Sequence, residues 1–127
     1  MGEWSMFKSG SVTIVVDDLK KAEQFYVEVL GLTVQFRVEG HLVQVEAPGV
    51  TIGLLHPREG QDSHPGKSGS VHIGLEVQEL ESAINVLKSR GVEFQPPMEE
   101  EATRIAYFSD PEGNPLYLIE LKPEPEM

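Results

Sequence analysis

Val12-Thr13-Ile14-Val15-Val16-Asp17-Asp18-Leu19-Lys20-Lys21-Ala22 returns, 61 residues further on, as Ile73-Gly74-Leu75-Glu76-Val77-Gln78-Glu79-Leu80-Glu81-Ser82-Ala83. Both stretches alternate apolar residues, reach an acidic residue, and then open a helical pattern with Leu-x-x-Ala. A second echo comes at an offset of 64, where Pro48-Gly49-Val50-Thr51-Ile52-Gly53-Leu54 matches Glu112-Gly113-Asn114-Pro115-Leu116-Tyr117-Leu118. Repetition on this scale predicts a pseudo-symmetric body built from two copies of one unit. Corresponding residues of the two copies are then expected to meet at a pocket on the symmetry axis. Comparing them reads the chemistry that pocket carries.

Working outward from the first copy, Ser11 to Val16 alternates as a half-buried strand does. Asp17 or Asp18 supplies an oxygen for the first free amides of the helix that follows. Leu19, Ala22, Phe25, Tyr26, Val29 and Leu30 recur at three- and four-residue spacings, forming one apolar stripe, and Gly31 ends the helix. Three strands are predicted next, Thr33–Val38, His41–Ala47 and Val50–Leu55, turned at Glu39-Gly40 and Pro48-Gly49. The second copy reads as strand Val71–Val77, helix Leu80–Arg90 closed by Gly91, then strands Val92–Gln95, Arg104–Ser109 and Leu116–Leu121. Pro96–Thr103, containing Glu99-Glu100-Glu101, reads as a mobile acidic loop. Residues 1–9 read as a loose arm and residues 122–127 as a frayed tail.

A single domain, 1–127, is expected, with modules at about 10–55 and 71–122 joined by a polar connector, 56–70. The fold class is α+β: two βαβββ modules whose curled mixed sheets face each other across a cleft. The period of two assigns the strand faces. Val12, Ile14 and Val16 face the first helix, leaving Ser11, Thr13 and Val15 opposite. Val71, Ile73, Leu75 and Val77 face the second helix, leaving His72, Gly74 and Glu76 opposite. In the last strand Leu116 and Leu118 go to the core, Tyr117 and Ile119 away from it.

Composition narrows the function. The chain has no cysteine, which excludes disulfides, thiolate metal sites and a thiol nucleophile. The net charge is -11, a field that repels phosphate backbones and anionic lipid, so neither nucleic acid nor membrane is expected as a partner. Such a field attracts a small cation, although solubility alone accounts for it. Met1-Gly2-Glu3-Trp4-Ser5-Met6 lacks the basic region and apolar run of a signal peptide, and no stretch is apolar enough to span a bilayer. A cytoplasmic location is the expectation. There is no Gly-rich phosphate loop, no nucleotide fingerprint and no Ser-His-Asp order.

Four motifs carry a family resemblance. They are Val16-Asp17-Asp18-Leu19-Lys20-Lys21-Ala22-Glu23-Gln24-Phe25-Tyr26, Val29-Leu30-Gly31-Leu32, His72-Ile73-Gly74-Leu75-Glu76-Val77 and Phe108-Ser109-Asp110-Pro111-Glu112-Gly113-Asn114-Pro115. In order and spacing, over about residues 10–122, the chain resembles the vicinal oxygen chelate superfamily of glyoxalases, bleomycin-resistance proteins and extradiol dioxygenases. The resemblance implies paired βαβββ modules and a homodimer. Metal-using members place a His, Glu or Gln ligand near the start of the first strand and in the fourth strand of each module. On this chain those positions are Ser11, Gly53, His72 and Tyr117. Only His72 is an ordinary ligand, so no metal and no other cofactor is expected, a non-standard divalent site being the alternative. Glu120, three residues past Tyr117, is expected on the opposite face.

His72 is the candidate general base or acid and Tyr117 the candidate donor to a carbonyl or enolate oxygen. Ser11, Thr13, Val15, His41, Gly53, Gly74, Glu76 and Ile119 are candidate lining residues. Arg104 and Tyr107 are candidates of which one should point into the pocket, since they alternate. His56 and His64, in the connector, are expected in solvent. Glu99-Glu100-Glu101 reads as a solvated run, with gating of the pocket as the alternative. Function then divides between a protein that binds or sequesters a small, partly aromatic ligand and a glyoxalase-like lyase or isomerase using His72 and Tyr117. A regulatory subunit with a vestigial cleft is a third class.

Overall fold

Each opening alternation becomes a strand that feeds a helix. The computed structural model describes residues 6–57 and 71–122 and divides the chain into two units, Met1–His64 and Pro65–Met127. In the first, β1 (Val12–Val15) leads to α1 (Leu19–Glu23), which runs on as a wide π-helical turn (Gln24–Val29). Strands β2 (Thr33–Val38), β3 (Leu42–Ala47) and β4 (Val50–Leu55) follow. The second unit contains β5 (Ile73–Glu76), α2 (Leu80–Ser89), β6 (Met98–Glu99), β7 (Thr103–Ser109) and β8 (Pro115–Leu121).

Both units have one topology. The sheet orders are β1-β4-β3-β2 and β5-β8-β7-β6, with β1 parallel to β4, β5 parallel to β8, and the other pairs antiparallel. The first opening strand thus returns beside the last strand of its own unit, as the βαβββ reading requires. Among the described residues, no helix is long and apolar enough to cross a membrane.

Each sheet buries one face under its helix. Val16, Ala22, Tyr26, Val43, Val45, Ile52 and Leu54 form the first core. Ile73, Leu80, Ile84, Leu87, Ala106, Phe108, Leu116 and Leu118 form the second. Leu80, Ala83, Ile84 and Leu87 supply the i, i+3, i+4, i+7 stripe by which α2 docks. Burying each large apolar side chain stabilises the fold by roughly 1.5–3 kcal/mol, so these stripes hold the helices on their sheets.

The copies differ in length at two places. Leu19 and Leu80 are 61 apart, but Gly31 and Gly91 only 60, so the first helix carries one extra residue. The π turn absorbs it: the Leu30 amide donates to the Phe25 carbonyl, five residues back, at 2.9 Å. Tyr26 stays fully buried, with Phe25 edge-on at 5.3 Å. Both helices then end on a glycine in the left-handed region, φ 85° at Gly31 and 94° at Gly91. The second difference is four added residues between Gly91 and Gly113, since Gly49 and Gly113 are 64 apart.

That added segment corrects two expectations. Val92–Gln95 is not a strand; Gln95 donates a lone backbone bond to the Tyr107 carbonyl at 3.0 Å. Pro96 and Pro97 have no amide hydrogen to continue a ladder. Pairing resumes at Met98-Glu99, inside the stretch expected to be a mobile loop. Lys122 pins this acidic run, its ammonium 3.0 Å from the Glu99 carboxylate and donating to the Glu100 carbonyl at 2.5 Å.

The family-like turn at Asp110 is a hydrogen-bonded knot. Buried Asp110 accepts from the amides of Glu112 (2.9 Å) and Asn114 (2.8 Å) and from the Asn114 side chain (2.9 Å). Helix starts are handled differently in the two units. Asp18 caps α1 by accepting from the Lys21 amide at 3.0 Å. At the matching place Glu79 makes no cap, and its carboxylate takes the Ser82 hydroxyl instead. The free Leu80 amide donates to Glu120 of β8 at 2.7 Å. Glu120 therefore faces the helix. Glu120→Ala should lower stability by about 1–2 kcal/mol in urea unfolding, because the Leu80 amide loses its acceptor; an unchanged midpoint would refute that role.

Candidate functional site on the second sheet

The register sorts β8 without ambiguity. Leu116, Leu118 and Glu120 turn to α2, and Tyr117 and Ile119 turn away. Tyr107 is paired with Tyr117, Ile105 with Ile119, Gly74 with Tyr117 and Glu76 with Ile119, so all of these share the outward face. His72, just before β5, lies two residues from Gly74 and belongs to the same face.

Three rings meet there. Tyr107 and Tyr117 have centroids 5.6 Å apart with planes at 52°, and His72 stands edge-on to Tyr107 at 6.1 Å. Such tilted and edge contacts are the favourable ones for rings that carry negative faces and positive edges. Tyr117 lies across the backbone of Gly74. A Cβ added to Gly74 would overlap its Cζ and stand 2.5 Å from Cε2 and Oη. The face thus offers ring surface, two phenols, an imidazole and the exposed carboxylate of Glu76.

Arg104 is not part of it. It is paired with Glu120 on the helix side, 3.9 Å from the carboxylate, and three residues from Tyr107 puts it on the other face. The expectation that one of Arg104 and Tyr107 points outward resolves to Tyr107, and Arg104 is corrected. Glu99 and Lys122 also follow the helix-side register. No strand residue on the outward face of this sheet is Lys or Arg.

In the first unit, Thr13 and Val15 face away from α1, with Gly53 and Leu55 opposite them. Gly53 is buried, and a Cβ there would meet Thr13 Oγ1 at 3.1 Å and Leu42 Cδ1 at 3.5 Å. Ser11 is exposed before β1. His41 lies in the turn before β3 and its Nδ1 donates to the His56 carbonyl at 2.9 Å, while His56 Nδ1 bonds the Val16 carbonyl at 3.2 Å. His56 is therefore half-buried and tied to the end of β1, which corrects its placement in solvent. His64 lies outside the described residues.

A feature invisible to the period of two sits beside Gly53. A bulge between Val34 and Phe36 turns Phe36 to the outward face, opposite Gln44, and Arg37 to the helix side, opposite Val43. Gln44 donates to Gln35 at 2.8 Å and Gln35 in turn to Glu46, a polar row on the register of Gly53 and Thr51. The first sheet's arginine, Arg37, pairs with Glu23 on the helix side, which raises its pKa further through that hydrogen bond and charge. Among the described residues, no three His, Asp or Glu side chains stand close enough together to hold a metal ion.

The model of the Glyoxalase/Bleomycin resistance protein/Dioxygenase superfamily matches residues 8–118. The chain belongs to that superfamily. It is similar to a Synechocystis protein named "Probable lactoylglutathione lyase", 29% identical, the match covering 84% of this chain and 90% of the relative. Among solved structures it is similar to TnmS3, an antibiotic binding protein from Streptomyces, with TM-score 0.75, 26% identity and coverage of 94% and 100%. A superfamily member from Sphaerobacter thermophilus superposes with TM-score 0.71 at 31% identity, covering 91% and 98%.

The Glu99 carboxyl is held below its ordinary value by its hydrogen bond to Lys122, then by the charges of Lys122 and Arg104. A lowered folded-state pKa means the contact supports the fold above the ordinary carboxylate range. That support is lost as pH falls through the folded value, and the exposure of Glu99 to solvent keeps it small. Lys122→Met should raise the Glu99 pKa in an NMR titration; an unmoved curve would show the pair is not formed in solution.

Proposed function

We propose that this chain binds a small planar organic molecule, preferably a cation, on the ring-bearing face of its second sheet, without a metal. The observation that carries the reading is the His72–Tyr107–Tyr117 cluster beside Glu76, on a face that no strand Lys or Arg shares. Ring faces attract cations at about 0.5–2 kcal/mol each, more where water is excluded. The net charge of -11 steers the same class of ligand. The likeness to an antibiotic binding protein supports a binder.

The donor set does not suit the superfamily's metal. Of the positions that the resemblance gives, Gly53 has no donor and its side-chain direction is closed by Thr13 and Leu42, and the Tyr117 ring is laid on Gly74. Ser11 contributes only a neutral hydroxyl. His72 alone is an ordinary ligand, against the roughly three that a divalent site needs. Elemental analysis of protein made without a polyhistidine tag should find no stoichiometric transition metal; one retained ion per chain would overturn this part. The reading also takes the chain to be a cytoplasmic homodimer, with sedimentation as the check on assembly.

Proflavine, a planar cation, is a suitable probe, with acridine as its neutral counterpart. Proflavine should bind more tightly and lose affinity with salt. Tyr107→Ala and Tyr117→Ala should each weaken it about 3- to 30-fold, the range expected for one lost ring contact. No uptake of either dye, or uptake indifferent to both variants, would refute the site.

A second reading rests on His72 sharing its face with two phenols and on the relative named for lactoylglutathione. In it, His72 moves a proton and a phenol steadies the oxygen that gains charge. Turnover of lactoylglutathione by metal-stripped protein, abolished by His72→Ala and lowered by Tyr117→Phe, would establish it over the first. Absence of turnover with or without added metal removes it.

A further inference from the structure

We infer that Gly74 is a positioning residue that sets which ligands the ring face accepts, acting through Tyr117; this rests on the reading of that face as a binding surface. Glycine weakens a strand, so its presence in β5 calls for a reason. Backbone conformation is not the reason. Among the described residues the positive-φ glycines are Gly31, Gly40, Gly49, Gly91 and Gly113, and Gly74 is not one of them. The reason is space: the missing side chain is the slot in which the Tyr117 ring lies.

The first unit shows the same device reversed. There the parallel pair is Thr13 on β1 and Gly53 on β4, with the Thr13 side chain over the glycine. In the second unit the outer strand carries the glycine and the inner strand the side chain. One side chain is seated per parallel pair, and which strand supplies it decides the surface. Seated in that slot over edge strand β5, the Tyr117 ring meets Tyr107 at a fixed tilt, 5.6 Å between centroids and 52° between planes. A methyl group at position 74 would lift Tyr117 from its slot and change that tilt, and with it the ring surface offered to a planar ligand.

Tyr117 meets the added atom with the far end of a flexible side chain, so Gly74→Ala should displace the ring rather than unfold the sheet. The chain has three tyrosines, so fluorotyrosine labelling gives three NMR resonances, assigned by single Tyr→Phe variants. Gly74→Ala should move the Tyr117 resonance, leave that of Tyr26 in place, and lower proflavine affinity about tenfold, as for a lost ring–cation contact. On a Tyr117→Ala background the same substitution should have no further effect on affinity, because the conflicting ring is gone. Should Gly74→Ala alone fail to fold, the double variant should fold, and that rescue supports the slot. An unmoved Tyr117 resonance, or losses that multiply in the double variant, would overturn the inference. If the ring moves but wild-type protein takes up no proflavine, the binding reading falls, and Gly74's part in ligand choice falls with it.

Discussion

The bond from the Leu80 amide to Glu120 fixes more than one helix end. A carboxylate on β8 can reach that amide only if β8 presents even-numbered residues to α2. The period of two then obliges Tyr117 and Ile119 to face away. A slip of one residue would bury Tyr117 and expose Leu116 and Leu118, losing two nearly inaccessible leucines from the core. Hydrophobic burial and one charge-assisted bond therefore specify the same register. The chemistry of the outward face is a consequence of how the inward face is sealed.

Divergence between the copies has been accommodated locally. One extra residue in the first helix becomes a π turn, and of four extra residues in the second unit three lie before β7 and one in the turn from β7 to β8. Neither change disturbs the strand order, which is the same in both sheets. The substitutions that matter chemically are the reciprocal ones, Thr13 over Gly53 and Tyr117 over Gly74. Each fills the volume a neighbour vacated, as close packing demands. A glycine judged by itself reads as a lost function; judged with its ladder partner, it reads as a seat.

The repeat made the βαβββ unit legible, because period-two and period-3.6 signals are written directly in residues such as Val12–Val16 and Leu80–Leu87. The position of Glu120 followed from the same counting. What counting missed depends on its own interruption. The bulge at Gln35 changes parity in mid-strand, and Pro96-Pro97 removes the donors that a strand over Val92–Gln95 needs. Arg104 and Tyr107 could be separated only by registering β7 on β8, a long-range pairing that no local window contains. His56 looked like connector because composition there is polar, yet its ring bonds the end of β1.

The distribution of charge ties the fold to the proposed ligand. Each sheet holds an arginine, and each arginine is drawn to its helix side by a carboxylate, Arg37 by Glu23 and Arg104 by Glu120. Lys122 is drawn likewise by Glu99. A cation so paired is a weak partner for an incoming anion, since its field is already compensated at contact distance. On the outward face of the second sheet the strand residues leave Glu76 and the ring faces, both of which favour positive charge. The pairs that brace the helix sides thereby leave the strands of the other face without a Lys or Arg, which is what the proposed ligand requires. Two parts of the molecule that share no ligand are linked through the parity of three strands.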